Sequence, residues 1–156
     1  MAAIAQAQAA INTLFKIGNM GSPQTFNVIA NVGDLTGPTM SAAVVDVTSH
    51  SNSNPWRSKI VTLLDCGDVT LPLYFIPSSA GSDGVPATPE GHNGTNGLLS
   101  VFTSRQLREY SVTFPDAAAT TWYFAGMISK FTMGAKVAGV LDATVTFTFT
   151  GEPILV

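Results

Sequence analysis

Residues 144–150 read Thr-Val-Thr-Phe-Thr-Phe-Thr, an alternation of period two that only an extended strand resolves into two distinct faces. Val145, Phe147 and Phe149 make one face, and Thr144, Thr146, Thr148 and Thr150 make the other. A Thr face is β-branched and uncharged, so it suits either water or another protein surface. Trp122, Phe124, Gly126 and Ile128, interleaved with Tyr123, Ala125 and Met127, are apolar on both faces, which predicts a central strand covered on both sides. Tyr110, Val112 and Phe114 followed by Pro115-Asp116 read as a strand closed by a turn, with the next strand starting at Thr121. Further strands are expected at 13–17, 26–32, 43–48, 60–64 and 69–76. Leu98, Leu99, Phe102 and Leu107 approximate helical spacing and predict one helix between Gly97 and Leu107, with Thr95 or Asn96 as N-cap. Eight short strands and one helix predict a mainly β chain, a two-sheet β-sandwich or barrel flanked by a single α-helix.

A chain of 156 residues suits one domain, placed at residues 13–156 after an arm of residues 1–12. The first ten residues are Ala- and Gln-rich and are expected to order only when something docks them. Residues 77–97 hold Pro, Gly, Ser, Asp and Asn with hardly an apolar side chain, which predicts an exposed loop of unusual length. A second polar stretch, 49–55, separates two strand-like runs and meets Trp56-Arg57. No repeat of 20 to 50 residues signals a solenoid.

Composition then asks where the surface goes. Hydrophobic residues make up 46% of the chain and charged residues only 11%, with 7 Lys and Arg against 10 Asp and Glu. A typical chain of this length carries roughly 39 charges. A compact monomer of this mass exposes about 7,500 Å², so each charge here must serve about 440 Å² rather than about 190 Å². Monomers rarely expose apolar patches beyond a few hundred Å², so copies of the chain are expected to shield one another. The net charge of −3 and the absence of any Lys or Arg cluster disfavour tight nucleic-acid binding. Apolar runs such as 60–64 and 71–76 fall far short of the roughly 20 residues a membrane helix needs, and residues 1–10 lack the pattern of a secretory signal.

Catalytic and metal chemistry find little support. Cys66 with His50 or His92 is the available thiol pairing, but Asp65 and Asp68 flank it and would make a thiolate scarcer. Both histidines lie in Ser/Asn/Gly-rich stretches without ligand spacing, so no metal or other cofactor is expected. The Asp and Glu residues mostly flank Gly or Pro in turns. Residues 91–97, Gly-His-Asn-Gly-Thr-Asn-Gly, lack the Lys of a phosphate-binding loop. Trp56-Arg57 pairs two residue types enriched at interface hot spots, with packing in the core as its equal alternative.

Several dispersed segments together resemble the major tail tube proteins of long-tailed, lambda-type bacteriophages. These are residues 13–19, Thr-Leu-Phe-Lys-Ile-Gly-Asn; 37–42, Gly-Pro-Thr-Met-Ser-Ala; 45–50, Val-Asp-Val-Thr-Ser-His; 108–116 with 121–126, Thr-Trp-Tyr-Phe-Ala-Gly; and the Thr-rich 143–155. Residues 1–12 and 77–97 fall outside the resemblance. It implies a structural, non-enzymatic virion protein without cofactors, whose hexameric rings stack into the tube through which DNA leaves the capsid. It implies a tape-measure protein and a tail terminator as partners, and synthesis and assembly in the host bacterial cytoplasm. The DNA is expected to pass without tight binding, in a bore depleted of Lys and Arg. Within that reading, the stretch 37–57 is expected to project and pack on an adjacent subunit through Val45, Asp46, Val47, Trp56 and Arg57. Ile4, Gln6 and Gln8 of the arm are expected to stack ring on ring. The alternatives are a monomeric ligand- or carbohydrate-binding module with Trp56, Trp122 and Tyr123 as its platform, an enzyme built on Cys66 or the acidic turns, and a tail terminator or minor tail protein.

Overall fold

Strands form where the alternation lies and join in an order that the chain sequence does not display. The computed structural model describes residues 11–29, 32–76 and 97–156. Its elements are β1 (Leu14–Gly18), β2 (Phe26–Val28), β3 (Ser41–Asp46), β4 (Lys59–Asp65), β5 (Asp68–Tyr74), α1 (Leu98–Ser104), β6 (Arg108–Thr113), β7 (Thr121–Ala135) and β8 (Leu141–Leu155). Six strands make one antiparallel sheet in the order β2-β1-β6-β7-β8-β5, and β3 pairs with β4 as a separate two-stranded sheet. The mainly β fold with two sheets and one flanking helix is the expected one, in its barrel-like form.

The large sheet curls. Adjacent strands lie about 4.8 Å apart, which would put β1 and β8 about 14 Å apart in a flat sheet. Yet the Phe15 ring of β1 meets the Phe147 ring of β8 with centroids 5.1 Å apart, and Tyr110 meets Phe147 at 4.9 Å. The chain after β2 then crosses to the far edge. Val32 bridges Leu73 and Thr36 bridges Thr70 of β5, and the Gly33 amide donates to the Pro72 carbonyl at 2.7 Å. The two edges of the sheet are thus joined by one connection, so less edge backbone is left open to pairing with other chains.

Inside the curl sit Phe15, Ile17, Val69, Leu71, Tyr110, Val112, Phe124, Val145, Phe147 and Phe149, all buried. The alternation of β8 is realised as written, its Val and Phe buried and its Thr outward. The helix closes the core with Leu98 and Val101 and is capped by the Gly97 backbone, with no side-chain cap. The proposed caps Thr95 and Asn96, the loop 77–96 and the arm residues 1–10, with Ile4, Gln6 and Gln8, lie outside the described residues.

β7 departs from expectation on one face. It lies inside the sheet, between β6 and β8, and Phe124 and Ile128 are buried, but Met127 on the opposite face is exposed. On that side Tyr123 and Ala125 are only half-buried, so an apolar pattern on both faces did not mean full burial on both faces within one chain.

Candidate assembly surface

The hairpin of β3 and β4 departs from the body and returns to it, with every residue of both strands exposed. Its base is fixed by special backbone. Gly37 has φ 110° and Gly67 has φ 70°, the left-handed region that side chains rarely adopt. The Gly67 carbonyl accepts from the Phe149 amide at 3.1 Å, and Cys66 beside it is buried, so the hairpin is anchored to β8.

Antiparallel partners share a face. Val44 opposite Val61 lies on one side of the ribbon, and Val45 opposite Ile60 lies on the other. A bulge between Ala42 and Val44 shifts the register and adds twist. Leu63 and Leu64 stand 78% and 81% exposed. A two-stranded ribbon is marginal in water at best, and here it is apolar on both sides.

The loop at its tip is nonetheless tied down. The Val47 amide donates to the Ser58 carbonyl at 2.8 Å, and the Ser58 amide donates to the Thr48 hydroxyl at 2.9 Å. The Asn52 side chain donates to the Trp56 carbonyl at 3.1 Å, and the Trp56 amide donates to the Asn54 side chain at 3.1 Å. The Thr48 hydroxyl and amide hold the Asp46 carboxyl below its usual range. Arg57 faces Asp46 at 3.6 Å, an exposed pair that contributes little. On this ordered loop Trp56 is 78% exposed. Of its two sequence readings, packing in the core is excluded.

The structure therefore gathers Val45, Asp46, Val47, Trp56 and Arg57 on one hairpin. It adds Ile60, Val61, Leu63 and Leu64, which sequence reasoning had treated as an ordinary strand. Their signal was present as a largely apolar run between Lys59 and Asp65, interrupted only by Thr62, but such a run does not say whose surface covers it.

The other arrangements do not assemble. Trp122 packs beside Phe124 with ring centroids 5.1 Å apart, whereas Tyr123, on the opposite face, meets Phe26 at 5.3 Å. With Trp56 on the hairpin tip, the three rings share no platform. Burial pushes the Cys66 thiol up, and the Asp65 charge adds to this, the reverse of what a nucleophile needs. His50 is exposed on the hairpin loop, and His92 lies outside the described residues. Among the described residues no three His, Cys, Asp or Glu side chains are grouped to hold a metal ion, and no helix is long and apolar enough to cross a membrane.

The fold is shared with solved tube structures. The tail of an empty gene transfer agent particle, computed with helical refinement in C6 symmetry, matches with TM-score 0.70 and 19% identity over 96% of this chain and 99% of that one. The virion of the native gene transfer agent particle matches with TM-score 0.67 and 17% identity over the same shares of both chains. The sheath-tube complex of an extracellular contractile injection system, PVC, in its extended state matches with TM-score 0.66 and 11% identity over 97% of this chain and 93% of that one. No curated protein sequence matches the chain. Residues 12–156 match the family model of the lambda phage tail tube protein, nearly the whole length, and the chain accordingly belongs to that family, as a structural tail tube component of the virion.

Proposed function

We propose that the chain assembles as hexameric rings stacked into a tube for DNA, and that the β3–β4 hairpin is the element each subunit lays on a neighbour. The observation that carries this reading is the hairpin itself: an ordered ribbon, apolar on both faces and exposed throughout. Apolar area of this kind is stabilised at about 25 cal/mol per Å² when covered. The sixfold symmetry of the similar gene transfer agent tail supports the ring number. The Thr residues of β8 give its outward face an uncharged strip, with Lys130 opposite Thr146 and Asp68 opposite Thr148 as its charged neighbours. No catalytic role is assigned. A tape-measure protein and a tail terminator are the expected partners, and residues 13–156 act as one folding unit.

Trp56→Ala tests the hairpin. The variant should fold as wild type by circular dichroism yet lose tubes in negative-stain micrographs, since truncating an interface anchor typically costs 2 kcal/mol or more. Tubes of normal length from Trp56→Ala would refute the assignment. Residues 1–10, with Ile4, Gln6 and Gln8, are proposed to order when rings stack. Hydrogen exchange should find them unprotected in dilute monomer and protected in tubes, and protection already in the monomer would contradict this.

A further inference from the structure

We propose that the open cavity beside β6 and β7 receives the β3–β4 hairpin of a second copy of the chain, with Trp56 as the side chain that enters it. This rests on the tube reading and adds the acceptor surface to it. The cavity measures about 1080 Å³ and is lined by Ile11, Val32, Leu35, Phe114, Trp122 and Leu155 among others. Ile11 and Leu155 are 76% and 61% exposed, so apolar side chains stand at the mouth beside the acidic ones. A pocket of this volume is at the upper end of what a single small ligand fills, and it accommodates several large side chains.

The chain's own hairpin does not occupy it. Gly37 and Pro38 line the cavity at the point where the hairpin leaves, yet all of β3 and β4 and Trp56 remain exposed. One molecule therefore carries two unlike apolar surfaces side by side, a projecting ribbon and a recess. Donor and acceptor that differ make a heterologous contact, which passes from copy to copy and closes as a ring or continues as a filament. A contact that used the same patch of the ribbon on both copies would stop at a dimer.

Charge points to the same occupant. Among the described residues the cavity lining includes Asp34 and Asp116 and no Lys, Arg or His. Asp116 is held ionised by the Thr120 hydroxyl and amide, which lower its pKa. The hairpin tip brings Arg57 and Lys59 against the single carboxylate of Asp46. An acidic rim thus faces a tip with excess positive charge, which sets register and approach more than affinity.

Two variants with changes at exposed positions separate the possibilities. Trp56→Asp disables the ribbon and Leu155→Asp disables the recess, and each should fold but form no tubes. Immobilised Leu155→Asp protein should retain Trp56→Asp protein at least tenfold above either variant on itself, because one intact ribbon then meets one intact recess. Retention of Leu155→Asp by itself would mean that ribbon meets ribbon and would overturn the proposal. So would tubes of normal length from Leu155→Asp, with the tube reading left standing. If that variant assembles while its residues 1–10 lose protection against hydrogen exchange, the recess belongs to the chain's own start and the proposal fails. Wild-type protein that forms no tubes sinks the tube reading instead. Should Leu155→Asp misfold, Ile11→Asp at the same mouth replaces it.

Discussion

The Tyr110 hydroxyl is the one buried side-chain polar atom among the described residues that has no hydrogen-bond partner. Burial pushes its pKa up, with the Arg108 charge acting weakly against this, so the phenol stays neutral and unpaired. The ring itself is well placed between Phe15, Phe147 and Phe149. An unsatisfied buried hydroxyl costs about 1–3 kcal/mol, whereas removing it leaves the aromatic packing intact. Tyr110→Phe should therefore stabilise the subunit by about 1 kcal/mol and raise Tm by about 3 °C in a calorimetric melt. A lower Tm would show that the hydroxyl has a partner. At this scale the sequence was informative about faces and silent about partners: β6 and β8 displayed their apolar residues at period two, but nothing local announced that one of them carried an orphaned oxygen. Cys66 behaved alike. Its flanking carboxylates already argued against a thiolate, and burial then added the larger effect.

At the scale of elements, the hairpin depends on its hinges. Gly67 sits at φ 70°, and a Cβ there would run into the Thr39 carbonyl oxygen across the base of the ribbon. Gly67→Ala combines left-handed strain with that clash, so it should destabilise the subunit by about 2 kcal/mol in urea unfolding. An unchanged unfolding midpoint would mean that the base of the hairpin is free to move. The sequence showed β4 as a strand but not its environment. A largely apolar run such as Ile60 to Leu64, with Thr62 as its one polar residue, normally marks a strand buried on both faces. Here the inference of two covered faces points beyond the chain, because none of the other described elements packs on β4. Met127 on β7 is a smaller case of the same kind. β8 differed because its Thr residues stated which face was not for the core.

For the whole molecule, scarcity of charge and an exposed ribbon describe one fact. Surface that a neighbouring copy covers needs no ionised groups to keep it soluble, as the proposed assembly requires. At 1 M salt the Debye length shrinks to about 3 Å and exposed ion pairs are screened, but contacts of this apolar kind hold few ion pairs and respond weakly. Assembled tubes should therefore persist in about 1 M sodium chloride, as seen by sedimentation. Their dissolution would show that ionic contacts carry the assembly. Local pattern by itself determined the strands, the face of β8 that enters the core and the helix at Leu98–Ser104, and the count of charges pointed to partners, because each follows from residue spacing or from composition. Only the tertiary structure decided that β1 and β8 meet across a curled sheet, that Trp56 stands in solvent and that the hairpin lies free beside an apolar recess. Those outcomes depend on which distant segments pair, and the energy of pairing belongs to two segments jointly and is written in neither.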